Sequence, residues 1–465
     1  MIDQATICAI STAPGNGAIA VVRMSGAEAL EICDKVFRSA RGKKLAEQRP
    51  NTVHFGTINE GDEIIDEVLV TVFKAPHSYT GENSVEIACH GAPYIQQRIL
   101  QVLMKNGARM AQPGEYTQRA FLNGKMDLSQ AEAVADLIAS SSAAAHKVAL
   151  QQMRGGFSNE IANLRDRLLN FISLVELELD FSEEDVEFAD RTQLTSLVEE
   201  IRKLIQKLVD SFQLGNVIKN GVPVAIVGNT NVGKSTLLNA LLQEDRAIVS
   251  DIEGTTRDVI EDTINIGGIT FRFIDTAGIR TTADKIETMG IERTYSKMRQ
   301  AQVVLLLVDA DKDINRLNES IAQVNKSIDR ENQHLTVCIN KIDLVDDAQS
   351  VAANLQGLEP EDKLLFISAK KQENIETLTN ELLRAVNLKQ LNEQDVIVTN
   401  ARHYEALQNA LESILRVLDG LQTQIPTDFL AQDIRECLHY LGEITGDIST
   451  DEVLGNIFKN FCIGK

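Results

Sequence analysis

The segment "GNTNVGKS" at residues 228–235 constrains the fold of this 465-residue chain more than any other stretch. It has the form G-x-x-x-x-G-K-S and follows an apolar run, "VPVAIV" at 222–227, that is predicted to be a strand. In this context the glycines let backbone N–H groups wrap around phosphates at the start of a helix. The segment therefore predicts a parallel sheet covered by helices, with a phosphate-binding loop at one strand end.

Four further motifs follow in the order typical of a guanine-nucleotide site: "EGTTRD" at 253–258, "DTAG" at 275–278, "NKID" at 340–343 and "SAK" at 368–370. Lys234 is predicted to bridge the β- and γ-phosphate oxygens. Ser235 and the Thr256 hydroxyl are predicted to bind Mg²⁺, because this cation prefers oxygen ligands. We therefore expect a nucleotide bound together with magnesium.

The other motifs are predicted to contact the γ-phosphate and the guanine base. Asp275 is predicted to hold a magnesium-bound water, and the Gly278 N–H to meet the γ-phosphate. Asp343 can accept from guanine N1–H and the 2-amino group, and a backbone N–H of "SAK" would reach guanine O6. A site built on such paired hydrogen bonds rejects the analogue lacking them by about 10⁴ or more, so GTP rather than ATP is expected.

The full predicted GTP-binding set combines these motifs. It comprises Asn231, Val232, Gly233, Lys234, Ser235, Thr236, Ser250, Thr255, Thr256, Asp275, Thr276, Ala277, Gly278, Asn340, Lys341, Asp343, Ser368, Ala369 and Lys370.

The residue after "DTAG" is Ile279, where small signalling GTPases carry the glutamine that orients the attacking water. An aliphatic side chain makes no hydrogen bond, but the chain keeps Lys234 and the predicted magnesium ligands. Hydrolysis is therefore expected, with water orientation and compensating positive charge supplied by other means. Asn231 is a candidate ligand for a monovalent cation beside the phosphates; the alternative is that it only suits a tight turn.

The pattern along the chain predicts several domains. Residues 1–120 alternate apolar runs with Gly and Pro turns, which indicates an α+β domain. Residues 121–217 and 389–465 are helical in pattern, and 218–388 alternate strands and helices, with a hairpin at Gly267-Gly268. We expect one helical domain interrupted by an inserted, mostly parallel α/β domain, since insertions enter and leave through neighbouring loops.

Two details concern individual helices. The apolar stripe of 192–214 is expected to end where "GNVIKNG" at 215–221 interrupts it. Near the C-terminus, Ser449 and Glu452 are predicted to form a capping box for a helix that packs up to Cys462.

Composition excludes several function classes. The net charge of −21 argues against a protein that wraps nucleic acid over its whole surface, so any RNA contact must be local. No two of the 28 glycines are three residues apart, which removes the Rossmann dinucleotide fingerprint and the KH-domain RNA clamp.

The expected compartment is the cytosol. The six cysteines form no C-x-x-C pair, so reduced thiols are the default and no structural metal is predicted. The longest aliphatic run, "VVLLLV" at 303–308, is far shorter than the ~20 residues that span a bilayer. The first residues also lack the pattern of a signal peptide.

Five further segments resemble the MnmE (TrmE) family of tRNA-modification GTPases: "PGNGAIAVVRMSG", "SYTGENSVEIACHG", "PGEYTQRAFLNGKMDLSQAEAVADLI", "LGEITGDISTDEVLGNIF" and the terminal "FCIGK". The resemblance implies an N-terminal α+β folate-binding-like domain that dimerises, a helical domain, and an inserted Ras-like P-loop GTPase domain. It also implies an FAD-dependent partner, forming a heterotetramer with the homodimer, and modification at C5 of the wobble uridine of certain tRNAs.

The same resemblance assigns further residues. It implies K⁺ bound by Asn231, Ser250, Ile252 and Thr255, and Glu287 orienting the attacking water. A tetrahydrofolate derivative, 5-formyl- or methylene-tetrahydrofolate, would bind at Arg23, Glu82, Lys125 and Lys465, close to Cys462, a candidate participant in tRNA modification.

Two other functions remain open at this stage. One is a ribosome-assembly or signalling GTPase that acts as a binding switch, although the acidic balance and absent G-x-x-G speak against an RNA-binding module. The other is a lipid-modified switch, but "CIGK" at 462–465 is a poor match to a prenylation box.

Overall fold

The computed structural model describes residues 5–180, 191–245, 262–274, 298–310, 313–345, 354–386, 396–423, 425–459 and 461–464. The chain divides into two compact units. Unit 1 comprises Met1–Ala139, Ala149–Ile205 and Glu405–Lys465, and unit 2 comprises Ser140–Val148 and Gln206–Tyr404. Within the described parts, no helix has the length and apolar character needed to cross a bilayer.

The first part of unit 1 is a seven-stranded sheet. Its strands are β1 (Ile7–Ile10), β2 (Ile19–Ser25), β3 (Phe37–Ser39), β4 (Thr52–Glu60), β5 (Glu63–Phe73), β6 (Ser84–His90) and β7 (Arg109–Met110). They are ordered β3-β4-β5-β6-β2-β1-β7 and pair antiparallel except for β1 with β7. The sheet and the helices α1 (Ala29–Val36) and α2 (Pro93–Lys105) share one hydrophobic core.

Strand β5 shows how the sheet presents two different faces. Val68, Val70 and Val72 are buried in the core shared with the helices, because alternate side chains of a strand point to the same face. Leu69 points the other way and pairs with Phe55 of β4, and these side chains are 48% and 54% exposed. The sheet therefore carries an exposed apolar face.

The helices that follow range from 8 to 30 residues in length. Their bounds are α3 (Glu115–Leu122), α4 (Leu128–Ala139), α5 (Ala143–Met153), α6 (Gly156–Asp180), α7 (Arg191–Asn220), α11 (Ala401–Thr423), α12 (Thr427–Thr445) and α13 (Asp451–Phe458). In unit 1, Leu128 and Ala131 of α4 pack against Leu454 and Phe458 of α13 in a core of their own. Segments far apart in the sequence thus complete one packed unit.

Unit 2 contains the predicted, mostly parallel sheet. Its strands are β8 (Val222–Val227), β9 (Asp262–Ile266), β10 (Ile269–Phe273), β11 (Val303–Asp309), β12 (His334–Asn340) and β13 (Lys363–Phe366), ordered β13-β12-β11-β8-β10-β9. The helices described with it are α8 (Lys234–Asp245), α9 (Ile314–Asn325) and α10 (Ile375–Ala385).

Strand β11 explains why "VVLLLVD" contains no polar alternation. Leu305 and Leu307 lie in one hydrophobic core, whereas Val304 and Leu306 lie in a second core. Both faces of the strand are covered, which is characteristic of parallel sheets in α/β proteins. The antiparallel hairpin of β9 and β10 at Gly267-Gly268 is confirmed, with φ of 59° and 83° at the two glycines.

Two predicted helix ends are wrong. Helix α7 does not stop at Gly215 but continues to Asn220. The glycine is required by packing, because a Cβ atom added to Gly215 would lie 1.9 Å from the Val398 carbonyl oxygen. Glycine is a poor helix former, but its lack of a side chain lets the segment that contains Val398 approach the backbone of α7.

The N-terminus of α13 also differs from the prediction. Thr450, not Ser449, is the N-cap, and its hydroxyl accepts from the Val453 N–H at 3.3 Å. The helix ends at Phe458 and does not extend to Cys462. Ser449 and Thr450 are both good caps, so sequence preference alone does not choose between them.

Candidate functional site

The phosphate-binding motif lies between the end of β8 and the start of α8 in unit 2, as predicted. Asn231 and Gly233 in the connecting loop have φ of 62° and 100°. A Cβ atom on Gly233 would lie 2.4 Å from the Asn340 side-chain nitrogen. Glycine is needed there by both backbone conformation and space.

Lys234 begins α8 and folds back over this loop. Its ammonium group donates to the carbonyl oxygens of Gly228 at 2.7 Å and Asn229 at 2.8 Å. Burial lowers the pKa of the Lys234 ammonium because the charged form is partly removed from water. An anionic ligand in the loop would stabilise the charged form, which is the electrostatic requirement for phosphate binding.

Asn340, at the end of β12, connects the phosphate loop to the "SAK" loop. Its side-chain nitrogen donates to the Val232 carbonyl oxygen at 2.8 Å, and its side-chain oxygen accepts from the Ala369 N–H at 3.0 Å. The residue is buried, so both bonds are shielded from water. One side chain therefore fixes the relative position of two loops predicted to bind opposite ends of the nucleotide.

Asp343 and Ser368 meet at the same edge of the sheet. The Ser368 hydroxyl donates to Asp343 Oδ1 at 2.7 Å and accepts from the Lys371 N–H at 3.2 Å. The hydrogen bond from Ser368 lowers the pKa of the Asp343 carboxyl. The carboxylate is thus held ionised and oriented, as an acceptor for paired N–H donors must be.

The remaining predicted nucleotide residues differ in accessibility. Val232 and Ala369 are buried, Ser235 and Lys341 are half-buried, and Asn231, Thr236 and Lys370 are exposed. Lys341 forms an ion pair with Asp309 at the end of β11. The other predicted residues lie outside the described part of the chain: Ser250, Ile252, Thr255, Thr256, Asp275, Thr276, Ala277, Gly278 and Glu287.

A second cluster of predicted residues lies in unit 1. Arg23 of β2 donates to Glu86 Oε1 from Nε at 3.0 Å and from Nη2 at 2.8 Å. Its guanidinium carbon is 5.7 Å from the ring centroids of both Tyr79 and Tyr116. Cation–π contacts of this length, together with the ion pair, hold the guanidinium in one place.

The loop of residues 76–82 brings Glu82 and Lys125 to this cluster. The Ser25 hydroxyl, two residues along β2 from Arg23, donates to Glu82 Oε2 at 2.7 Å. Lys125 donates to the Pro76 carbonyl oxygen at 3.0 Å. Three of the four residues predicted for folate are therefore gathered around one loop, while Lys465 lies outside the described residues.

Arg119 of α3 belongs to this cluster but was not among the predicted residues. Its Nη1 donates to both carboxylate oxygens of Glu82 at 3.1 Å. Its Nη2 donates to Glu115 Oε1 at 2.8 Å, and Arg109 donates to the same carboxylate. The i, i+4 spacing of Glu115 and Arg119 signals a helix ion pair in the sequence, but nothing in the sequence signals the contact with Glu82.

Burial raises the pKa of Glu115, but hydrogen bonds from Arg109, the Gln112 N–H and Arg119 outweigh it, and the net shift is downward. Glu115 is therefore an ionised, almost fully buried carboxylate. Such a charge is tolerated because it is paired and hydrogen-bonded.

The C-terminal segment of residues 461–464 also lies in unit 1. The Cys462 carbonyl oxygen accepts from the Gly114 N–H at 3.3 Å, and the Gly464 carbonyl oxygen lies 3.2 Å from the Ser11 hydroxyl and 3.5 Å from Arg23 Nη1. Cys462 is exposed, whereas the other five cysteines are buried free thiols. The segment thus places an accessible thiol two residues from a contact with the Arg23 cluster.

Comparison with known proteins matches almost the whole chain. A family model for the GTP-binding protein TrmE N-terminus matches residues 6–125, and a model for the MnmE helical domain matches residues 128–462. A Bacteroides thetaiotaomicron protein described as tRNA modification GTPase MnmE is 60% identical, with 100% of each chain covered. A Flavobacterium johnsoniae protein of the same description is 56% identical, again with full coverage of both.

Among solved structures, the chain is similar to a variant of Aquifex aeolicus Era bound to GDP and AlF₄⁻. The identity is 28% and the TM-score is 0.28, with 42% of this chain and 66% of that chain covered.

Proposed function

Because the chain belongs to the MnmE family of tRNA modification GTPases, we propose that it is a K⁺-dependent GTP hydrolase that modifies C5 of the wobble uridine of certain tRNAs. It acts with an FAD-dependent partner protein, which supplies the redox cofactor, and uses a folate one-carbon unit. The observation that carries the proposal, beside family membership, is the guanine-type arrangement of Asn340, Asp343 and Ser368. These side chains lie at the edge of the sheet where the phosphate loop begins.

Guanine binds where Asp343 and the "SAK" loop meet at the edge of the sheet. Asp343 accepts from N1–H and the 2-amino group, one on each carboxylate oxygen, because Oδ1 keeps a second lone pair beside the one that Ser368 uses. The N–H groups of Ser368 and Ala369 already donate to the Glu373 carbonyl oxygen and to Asn340. The donor to guanine O6 is therefore assigned to the Lys370 N–H.

The phosphates bind in the loop of residues 228–235. Lys234 transfers its hydrogen bonds from the loop carbonyl oxygens to β- and γ-phosphate oxygens, and Ser235 and Thr256 hold Mg²⁺. Cations held by these residues would supply positive charge against the negative charge that develops on the transferred phosphoryl group. The exposed side chain of Asn231 supports its role as a K⁺ ligand, with Ser250, Ile252 and Thr255 as the other proposed ligands.

The tetrahydrofolate derivative binds at Arg23, Glu82, Lys125 and Lys465. The carboxylate of Glu82 suits an N–H donor of the pterin ring, and the cationic side chains suit the carboxylates of the ligand's glutamate. Arg23 and Glu82 are partly exposed, at 19% and 25% of their side chains, which supports access by a ligand. When bound, the folate supplies the carbon that is transferred.

The chain forms a homodimer through residues 1–120, and two copies assemble with the partner protein into a heterotetramer in the cytoplasm. The exposed pair Phe55 and Leu69 supports this assignment, because a contiguous apolar surface on a sheet marks an interaction site. The proposed domain limits are 1–120, 121–217, 218–388 and 389–465, and the family-model limits at 125 and 128 support the first of them.

The proposal is tested by incubating the protein with its flavin partner, a methylene-tetrahydrofolate, GTP and unmodified tRNA, and analysing nucleosides by mass spectrometry. A modified wobble uridine is expected only when GTP and K⁺ are present. GTP hydrolysis without any modified nucleoside would instead favour a binding switch of the ribosome-assembly or signalling class.

The same assay tests Cys462, which we propose takes part in tRNA modification. Cys462→Ser is expected to hydrolyse GTP with K⁺ at the normal rate and to leave the uridine unmodified. Full modification by Cys462→Ser would show that the Cys462 thiol takes no part in the modification.

A further inference from the structure

The side chain of Arg119 is fixed from several directions. It is 3% exposed, and its Nη2 donates to the Ala5 carbonyl oxygen at 2.8 Å as well as to Glu115. Its Nη1 lies 3.1 Å from each oxygen of Glu82, so that a single N–H group faces the middle of that carboxylate. A planar guanidinium held in this way leaves the Glu82 carboxylate little freedom to rotate.

Glu82 has few acceptor positions left for a ligand. An ionised carboxylate offers about four lone-pair sites on its two oxygens. Arg119 uses one site on each oxygen, and the Ser25 hydroxyl uses a second site on Oε2. The remaining position is on Oε1, and its direction is set by the two protein donors.

The charges around Arg119 explain why an arginine is needed there. Arg119 is shared between two carboxylates, Glu82 and the buried Glu115, and Glu115 is also paired with Arg109. The four groups together are neutral. Without the guanidinium, Glu82 would lose the one ion pair that the described part of the chain gives it, whereas Glu115 would keep its ion pair with Arg109.

We propose that Arg119 is a positioning residue that orients the Glu82 carboxylate, so that its one remaining acceptor position faces an N–H donor of a tetrahydrofolate. The inference rests on the proposed function in that it takes the cluster of Arg23, Glu82 and Lys125 as the folate site. It adds a residue that does not touch the ligand and acts through Glu82.

The test measures binding of 5-formyl-tetrahydrofolate to the full-length protein by calorimetry. Arg119→Lys keeps the charge but loses the planar fork, and is expected to raise the Kd about 10-fold or more. Glu82→Gln is expected to weaken binding to a similar or greater extent. In the Glu82→Gln protein, adding Arg119→Lys should change the Kd by less than about twofold, because Arg119 acts through the lost carboxylate.

Arg109→Lys is the matched control, since Arg109 shares Glu115 with Arg119 and donates to Glu115 and to the Met110 carbonyl oxygen. Its Kd should stay within about twofold of wild type. If Arg119→Lys lowers the melting temperature, the charge-neutral pair Glu115→Gln with Arg119→Gln replaces it, and the Kd is compared with that of Glu115→Gln alone. An equal loss in Arg109→Lys, or additive losses in the double variant with Glu82→Gln, would show a merely structural role.

The experiment distinguishes failure of the proposed folate site from failure of the proposed role of Arg119. Absence of 5-formyl-tetrahydrofolate binding to the wild-type protein would overturn the folate part of the proposed function and the role of Arg119 with it. Normal binding to wild type and equal binding to Arg119→Lys would overturn the role of Arg119 alone.

Discussion

Asn231 is the residue on which the potassium proposal can be tested most directly. Its φ of 62° makes alanine unfavourable there, so Asn231→Gly removes the side-chain oxygen without backbone strain. We expect wild-type GTP turnover to be far higher in KCl than in NaCl of equal ionic strength, and Asn231→Gly to lose this difference. Asn229→Ala, in the same loop, is the control and should still respond to K⁺.

A charge placed beside the phosphates of a GTPase accelerates hydrolysis by about 10³ to 10⁵. Equal wild-type turnover in the two salts, or an Asn231→Gly protein that still distinguishes them, would contradict the assignment.

Glu287 is proposed to orient the attacking water and lies outside the base and phosphate motifs. Glu287→Ala is expected to bind GTP with unchanged affinity and to hydrolyse it about 10² to 10⁴ times more slowly, the range of acid–base and water-positioning groups. Single-turnover hydrolysis and binding of a fluorescent GTP analogue separate the two quantities. A change confined to affinity would show that Glu287 is structural, and Glu361→Ala serves as a surface control.

The six cysteines should differ in reactivity. Burial raises the thiol pKa of Cys8 and Cys89 to about 11, and that of Cys338 and Cys437 to about 12; the pKa of Cys33 is raised as well. Because only the thiolate reacts, brief iodoacetamide treatment at pH 8 should alkylate the exposed Cys462 and spare these five. Peptide mass spectrometry checks this, and the same reagent in denaturant should label all six.

Residue types at the nucleotide site were predictable, whereas their mutual contacts were not. "NKID" identified Asp343 because guanine presents a donor pair that a carboxylate accepts, and the same motif placed Asn340 in the predicted binding set. The bridge from Asn340 to Val232 joins residues 108 positions apart, and no local pattern records such a contact. Arg119 was missed for the same reason, since its contact with Glu82 joins a helix to a distant loop.

Among the helices and strands, α7 contains a glycine, Gly215, whose replacement by alanine is expected to destabilise the protein rather than stabilise it. Gly→Ala in a helix interior normally stabilises by about 0.8–1 kcal/mol. At Gly215 the new Cβ would lie 1.9 Å from the Val398 carbonyl oxygen, so Gly215→Ala should instead lower the melting temperature. Gly455→Ala in α13, where the new Cβ meets nothing within 4 Å, should be neutral or stabilising. The melting temperatures of both variants are measured by calorimetry. A higher melting temperature for Gly215→Ala would contradict the close packing of Gly215 against Val398.

Elements were predicted well where burial or turn chemistry is local in the sequence, as in the continuous apolar run of β11 and the glycine pair between β9 and β10. Element ends were predicted less well. The sequence shows that Gly215 is a poor helix former and so predicts a helix end there. It does not show the contact with Val398, which requires a glycine at this position. Thr450 is the cap because of the path that the chain takes into α13, and adjacent Ser449 is equally suited by type.

For the whole molecule, we expect removal of residues 222–388 to leave a folded dimer. The seven-stranded sheet and its helices have a hydrophobic core of their own, and the exposed apolar face of the sheet lies outside the deleted segment. Light scattering after gel filtration measures the mass. Phe55→Asp in the same shortened protein should give a folded monomer, whereas a monomeric or unfolded parent would refute both the insertion and the dimer assignment.

The division of unit 1 among three stretches of chain has a consequence for biosynthesis. Leu128 and Ala131 are translated before most of unit 2, whereas their packing partners Leu454 and Phe458 are translated after all of it. At roughly 5–20 residues per second, the interval between them lasts tens of seconds. During that time the apolar surface of α4 has no native partner on α13, so a nascent chain stalled before residue 454 should be a preferred client of ribosome-associated chaperones.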